Sequence, residues 1–123
     1  LQQMQINANT FIVIATRGHR YDDQALEAAA KTKASYVALL GSRRKTILIY
    51  EALLKRGTPV DRVRQIRAPS GLDIGARTPE EIAVSIVAEM LMFRLGGNGV
   101  PMKLEDRYLE RIQSKLNLKA TSV

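Results

Sequence analysis

The sequence predicts an α/β fold, a parallel sheet with flanking helices, and three observations carry that prediction. Phe11-Ile-Val-Ile-Ala15 and Tyr36-Val-Ala-Leu-Leu40 are short, continuous apolar runs rich in β-branched residues, the pattern of strands buried on both faces. A helical pattern separates them, so strand, helix and strand fall within about thirty residues, the size of a βαβ unit. The third is Gly71 to Glu89, where a glycine-spaced loop leads into a complete helix start and a nearly all-apolar helix body.

Taken in order, Leu1 to Asn9 is polar and weakly patterned. After the first strand, Thr16-Arg-Gly-His-Arg-Tyr-Asp22 is a polar loop. Asp22 or Asp23 can cap a helix running to about Thr32, with Leu26, Ala29 and Ala30 on one face. After the second strand, Gly41-Ser42-Arg43-Arg44-Lys45 turns into a helix with Ser42 as its cap and Ile47, Tyr50 and Leu54 on its inward face. Gly57 ends that helix, Pro59 and Asp61 open a short one through Gln65, and Ile66 to Pro69 is a brief extended segment because Ala68 precedes a proline.

In the Gly71 to Glu89 stretch, Thr78 caps, Pro79 takes the first helical position and Glu81 stands three residues after the cap, a capping box. Apolar residues from Ile82 to Leu95 cover most of the circumference and leave a polar wedge of Glu81, Ser85 and Glu89, so this helix is expected to be covered by protein on most sides. Gly96-Gly-Asn-Gly99 with Pro101 reads as a linker. Beyond it Leu104, Tyr108, Ile112 and Leu116 form a single apolar stripe that packs on the domain or on a neighbour. The expected organisation is an α/β unit over 1–95, a linker over 96–101 and a C-terminal amphipathic helix and tail over 102–123.

Composition narrows the function classes. The chain has 123 residues, 46% hydrophobic and 25% charged, ordinary for one small globular domain. Its longest near-apolar run, Ile82 to Phe93, is too short to span a bilayer, and a cytoplasmic protein is expected. Without cysteine and with His19 as the one histidine, a zinc site is not expected. The formal charge of +7 invites a nucleic-acid partner, but the basic residues lack the interleaved aromatics of a base-stacking surface. A local anion site fits better.

In an open parallel sheet, ligands sit at the carboxyl ends of the strands. Three loops gather there: Thr16 to Asp22, Gly41 to Arg44, and Gly71 to Ala76. The candidate binding residues are therefore Thr16, His19, Gly41, Ser42, Arg43, Arg44, Gly71, Asp73 and Gly75. Three consecutive cations in a helix's first turn oppose its dipole at about a few tenths of a kcal/mol each, and an anion at the turn reverses that sign. Arginines pointing into water, a solvated His19 and a purely structural turn around Asp73 explain the same residues without a ligand. No catalytic arrangement emerges, and the Gly-x-Gly-x-x-Gly turn of a dinucleotide site is absent between the first strand and its helix.

Three ordered blocks carry a resemblance: Thr16-Arg-Gly-His-Arg-Tyr-Asp-Asp with Ala25-Leu26; Tyr36-Val-Ala-Leu-Leu-Gly-Ser-Arg-Arg-Lys45; and Ala68-Pro-Ser-Gly-Leu-Asp-Ile-Gly-Ala-Arg-Thr-Pro-Glu-Glu-Ile-Ala-Val-Ser-Ile-Val-Ala-Glu89. Together they resemble the C-terminal Rossmann domain of the XdhC/CoxI family, the xanthine dehydrogenase accessory factors, and the Thr-Arg-Gly-His form is closer to the CoxI side. The resemblance implies a Rossmann-like sheet, here the later half of the fold. It also implies a maturation factor that holds molybdenum cofactor (molybdopterin), helps it receive its sulfido ligand and passes it to a molybdenum hydroxylase apo-enzyme. The ligand at Gly41 to Arg44 is then the phosphate or nucleotide part of a pterin cofactor or of NAD(P). A nicotinamide-dependent oxidoreductase domain and a non-catalytic docking domain are the alternatives. Family members carry an N-terminal domain and a glycine-rich opening strand that do not precede Leu1, so a fragment, a shortened paralogue or a chain completed by another is expected, and with it a homo-oligomer or hetero-complex.

Overall fold

The computed structural model describes residues 4–16 and 21–119. Strand β1 (Phe11–Ile14) leads to helix α1 (Asp22–Ala30), strand β2 (Tyr36–Leu39), helices α2 (Arg43–Lys55) and α3 (Val60–Gln65), and strand β3 (Ile66–Arg67). Helices α4 (Pro79–Leu95) and α5 (Asp106–Lys115) complete the chain. The strands form one parallel sheet in the order β1-β2-β3, with Phe11 opposite Tyr36, Ile14 opposite Leu39, and Val37 opposite Ile66. This is the expected Rossmann-like α/β architecture.

Only the central strand is buried throughout, as a strand with a neighbour on each side and helices on both faces must be. On the edge, β1 is half-buried except at Ile14, so the expectation of burial on both faces holds for β2 and fails for β1, whose outer side has no neighbour among the described residues. The core joins Ile14, Val37, Leu39 and Ile66 of the sheet to Leu26 and Ala29 of α1 and to Ile49 and Leu53 of α2.

Local signals set the helix ends. Ser42 accepts the Lys45 N–H at 3.2 Å, as its capping position demands. At the other end of α2, Gly57 takes φ +93° while its N–H donates to Leu54 and that of Thr58 donates to Leu53, a Schellman closure. The α1 cap is different from expectation. Tyr21 occupies the cap position without a side-chain capping bond, and Asp22 is instead 1% exposed and accepts the Thr16 hydroxyl. Asp22 thus ties the loop after β1 to the helix it opens.

The inward face of α2 is Thr46, Ile49 and Leu53, one residue earlier than expected, while Ile47 and Leu54 are exposed and Tyr50 is half-buried. Both sets have i, i+3, i+7 spacing, and apolar content alone does not choose between them. Thr46 can turn inward because its hydroxyl is satisfied by the Ser42 carbonyl at 2.9 Å, and Tyr50 keeps one polar bond to the Ile66 carbonyl.

Helices α1 and α2 are also clamped by Arg56, which donates to Asp23 at 2.7 Å and Glu27 at 2.9 Å. These hydrogen bonds hold both carboxyls below their ordinary values of 3.8 and 4.5. Depressed folded-state values contribute stability that is present above about pH 4.5 and lost as pH falls through them. Arg56→Ala is therefore expected to reduce the thermal stability gap between pH 7 and pH 3, measured by scanning calorimetry, and an unchanged gap would remove the clamp from this account.

Helix α4 has the full capping box: Thr78 accepts from the Glu81 N–H, while Glu81 accepts from the N–H groups of Thr78 and Arg77. Its facing is the main departure from expectation. Ser85 and Glu89 of the polar wedge are buried against the domain, and the apolar Val84, Val87, Leu91 and Leu95 lie 50–74% exposed. The wedge turns inward because the sheet offers it partners: Glu89 accepts the Tyr36 hydroxyl at 2.6 Å. The phenyl rings of Phe11 and Phe93 close around Tyr36, with centroids 5.1 and 5.7 Å away.

Candidate functional site

Strands β1 and β2 run parallel, so their following loops emerge on one edge, where the Leu40 N–H donates to the Ile14 carbonyl. The third loop is brought to the same edge by Ser70, whose N–H donates to the Leu39 carbonyl. From there Gly71 donates to Glu89 at 3.3 Å and Leu72 to the Ser85 carbonyl at 3.2 Å, so the loop is laced along the inward face of α4. Gly71 is required for this course. At φ +101° its Cα faces the Ser85 hydroxyl so closely that an added Cβ collides with it.

These bonds enclose a cavity of about 270 Å³ lined by Leu40, Gly41, Ser70, Asp73, Gly75 and Ser85, among others. It unites Gly41, Asp73 and Gly75 of the expected set. Gly71 stands behind it as the residue that lets the loop approach α4. Asp73 itself closes a local turn, accepting the Gly75 N–H at 3.3 Å. Ser42, Arg43 and Arg44 follow Gly41 as the cap and first turn of α2, and both arginines are exposed with no side-chain partner among the described residues. Thr16 lies at the end of β1 with its hydroxyl engaged by Asp22. His19 lies outside the described residues.

Two contributors escaped the sequence reading. Ser70 lines this cavity, and its hydroxyl oxygen, shielded from solvent, is among the described residues the one buried side-chain polar atom without a hydrogen-bond partner. A buried hydroxyl left unpaired costs about 1–3 kcal/mol. The only sequence cue was a hydroxyl placed between Pro69 and Gly71. Glu89 is the other, a carboxylate 7% exposed that fixes both the second strand and the Gly71 turn. Its cue was an acid inside an otherwise apolar helix.

A larger concavity lies elsewhere, about 810 Å³ along β3 and lined by Lys33, Arg62, Arg64, Arg67, Glu89 and Phe93 among others. Its arginines are already engaged. Arg62 donates to the carbonyls of Ala30, Thr32 and Ala34 and to Gln65, Arg64 pairs with Asp61, and Arg67 stacks over Phe93 at 5.5 Å. A concavity whose arginines are already engaged is weaker ground for an anion site than the smaller cavity beside the unpartnered Arg43 and Arg44. Among the described residues no cluster of His, Asp or Glu could hold a metal, and no helix is long and apolar enough to cross a membrane.

Known proteins resemble this chain in sequence and fold. Residues 1–90 match the XdhC Rossmann domain family. The chain is 33% identical over 99 residues to the uncharacterised Escherichia coli protein YqeB, covering 80% of this chain and 18% of that one. It is 34% identical over 94 residues to a Bacillus subtilis protein named as a probable xanthine dehydrogenase subunit, covering 76% and 26%. It is 32% identical over 91 residues to the E. coli molybdenum cofactor insertion chaperone PaoD, covering 74% and 29%. A crystal structure of a xanthine dehydrogenase from Bacillus halodurans superposes with a TM-score of 0.62 at 28% identity, covering 84% of this chain and 29% of that one. The chain thus spans less than a third of the length of each of these relatives. With its βαβ unit, Gly41 turn and capped α4 start all falling within the matched residues, the chain belongs to the XdhC Rossmann domain family.

Proposed function

We propose that this chain is part of an accessory factor for molybdenum hydroxylases of the xanthine or CO dehydrogenase type, one that holds molybdenum cofactor for delivery to the apo-enzyme and has no turnover of its own. The observation that carries the reading is a glycine-lined cavity beside the first turn of α2, where Arg43 and Arg44 have no partner among the described residues. Each group suits an anion: unpaired helix N–H groups, and two guanidiniums able to fork onto phosphate oxygens.

Size limits what this chain holds by itself. A cavity of about 270 Å³ falls below the roughly 300–1,000 Å³ of sites that enclose a whole small molecule. It suits the phosphate end of a pterin cofactor, with the remainder held by residues beyond this unit. Two similar proteins are named as a molybdenum cofactor insertion chaperone and a probable xanthine dehydrogenase subunit, which supports the choice of cofactor over other phosphate-bearing ligands.

The test is equilibrium binding of molybdenum cofactor, with NAD and ATP as comparators, to the chain and to an Arg43→Ala, Arg44→Ala double variant. Removing two charge-assisted hydrogen-bonding groups should weaken binding by about 10- to 100-fold at physiological salt. Binding that the variant retains in full would move the anion elsewhere, and absence of binding by either protein would leave the chain as a docking domain.

A further inference from the structure

The outer face of α4 presents Val84, Val87, Leu91 and Leu95 to solvent, each at least half exposed. A row of four large apolar side chains at i, i+3, i+7 and i+11 is a helix-packing seam, here without a neighbour among the described residues. Helix α5 presents a second such seam. Leu109, Ile112 and Leu116 repeat the i, i+3, i+7 spacing, all three are 47–59% exposed, and no residue of α5 is buried.

We infer that a second copy of this chain covers α4, its α5 lying antiparallel along the Val84 to Leu95 seam while the first copy's α5 does the same in return. Spacing is the first argument: the two seams have the same repeat, so knobs of one meet holes of the other over about 10 Å. Charge fixes the direction. Helix α4 begins with Glu80 and Glu81 and ends with Arg94, while α5 begins with Asp106 and ends with Lys115. Antiparallel docking sets Lys115 near Glu80 and Asp106 near Arg94, and it opposes the two helix dipoles favourably. Parallel docking would set like charges together at both ends.

The connector argues for exchange between copies. At Gly99, with φ +73°, an added Cβ would lie 3.0 Å from the Met92 sulfur and 3.5 Å from a Leu72 methyl carbon, so the chain here is seated closely against the flank of α4. From that anchor α5 leaves without covering its own α4. Exchange about a twofold axis also makes the same contact twice, doubling the area from two short helices toward the roughly 1,200–2,000 Å² of a stable interface. The inference does not depend on the cofactor reading.

Sedimentation velocity of the 123-residue chain and two variants, Leu91→Asp and Ile112→Asp, tests it. Both positions are exposed, so each variant should keep the wild-type far-ultraviolet circular dichroism spectrum. The wild type is expected at twice the chain mass at micromolar concentration. Each variant alone should dissociate at least about 100-fold more readily, because a carboxylate must be buried in each of two seams. An equimolar mixture should recover paired species, since one undamaged α4 then meets one undamaged α5. A monomeric wild type overturns the inference. So does a dimer broken by Leu91→Asp but untouched by Ile112→Asp, which would mean α4 pairs with α4, and so does a mixture that pairs no better than either variant.

Discussion

Gly71→Ala is expected to lower the unfolding free energy by about 3 kcal/mol, the sum of a backbone held where side chains are strained and a core position overfilled. The two terms are separable. The strain comes from φ +101° and exists whatever surrounds the residue. The overfilling comes from Ser85, whose hydroxyl an added methyl would strike and whose Cβ and carbonyl carbon would lie 3.2 and 3.3 Å away. Those atoms belong to the middle of α4, so the helix cannot give way without losing its own bonds. In a Ser85→Ala background the cost should fall by part, because the hydroxyl goes and the strained φ stays. Gly41→Ala is the control: it has open space around it and no positive φ, and should change stability by less than about 0.5 kcal/mol. Urea unfolding midpoints at constant slope measure all of these proteins. Equal costs at Gly41 and Gly71 would show that the loop does not depend on its approach to α4.

The contrast between these two glycines also shows what a sequence can disclose. Local rules act within a few residues, and much of what they govern was legible: the Thr78 to Glu81 capping box, the Ser42 cap and the turn at Gly57, as was the βαβ order that sends the loop at Gly41 to the carboxyl edge of the sheet. Rotations of helices were not. Helix α2 carries two apolar stripes and α4 is apolar nearly all round, so the choice of inward face rests on polar partners far away in the chain. Thr46 is close enough to its acceptor Ser42 to have been guessed, but Glu89 meets Tyr36 across 53 residues. Even a short separation hides the role of Asp22, which looks like a cap in sequence and becomes a buried acceptor for Thr16. Gly71 was visible as a turn residue, yet only the buried facing of Ser85 explains why no other residue can stand there.

Glu89→Ala should be as costly, about 3 kcal/mol, and for a polar reason. Removing the carboxylate deletes the acceptor of a fully buried tyrosine hydroxyl and of the Gly71 N–H, and opens a hole between sheet and helix. Burial, reinforced by the neighbouring Glu89, pushes the Tyr36 phenol far above its ordinary value, so it remains a donor in neutral and alkaline solution alike. A raised folded-state value stabilises below about pH 10 and loses that contribution as pH climbs beyond it. Glu89→Gln keeps an acceptor of the same shape and should cost about 1 kcal/mol. Tyr36→Phe should cost between these, because the carboxylate left behind keeps only the Gly71 N–H. The informative protein is the Tyr36→Phe, Glu89→Leu double variant. If the two groups matter mainly to each other, removing both replaces a polar pair with apolar contact, and the loss should be smaller than the sum of Tyr36→Phe and Glu89→Leu. Strict additivity in urea unfolding would mean instead that Glu89 acts through Gly71 alone, and the loop at the candidate site would then be held by α4 without help from the sheet.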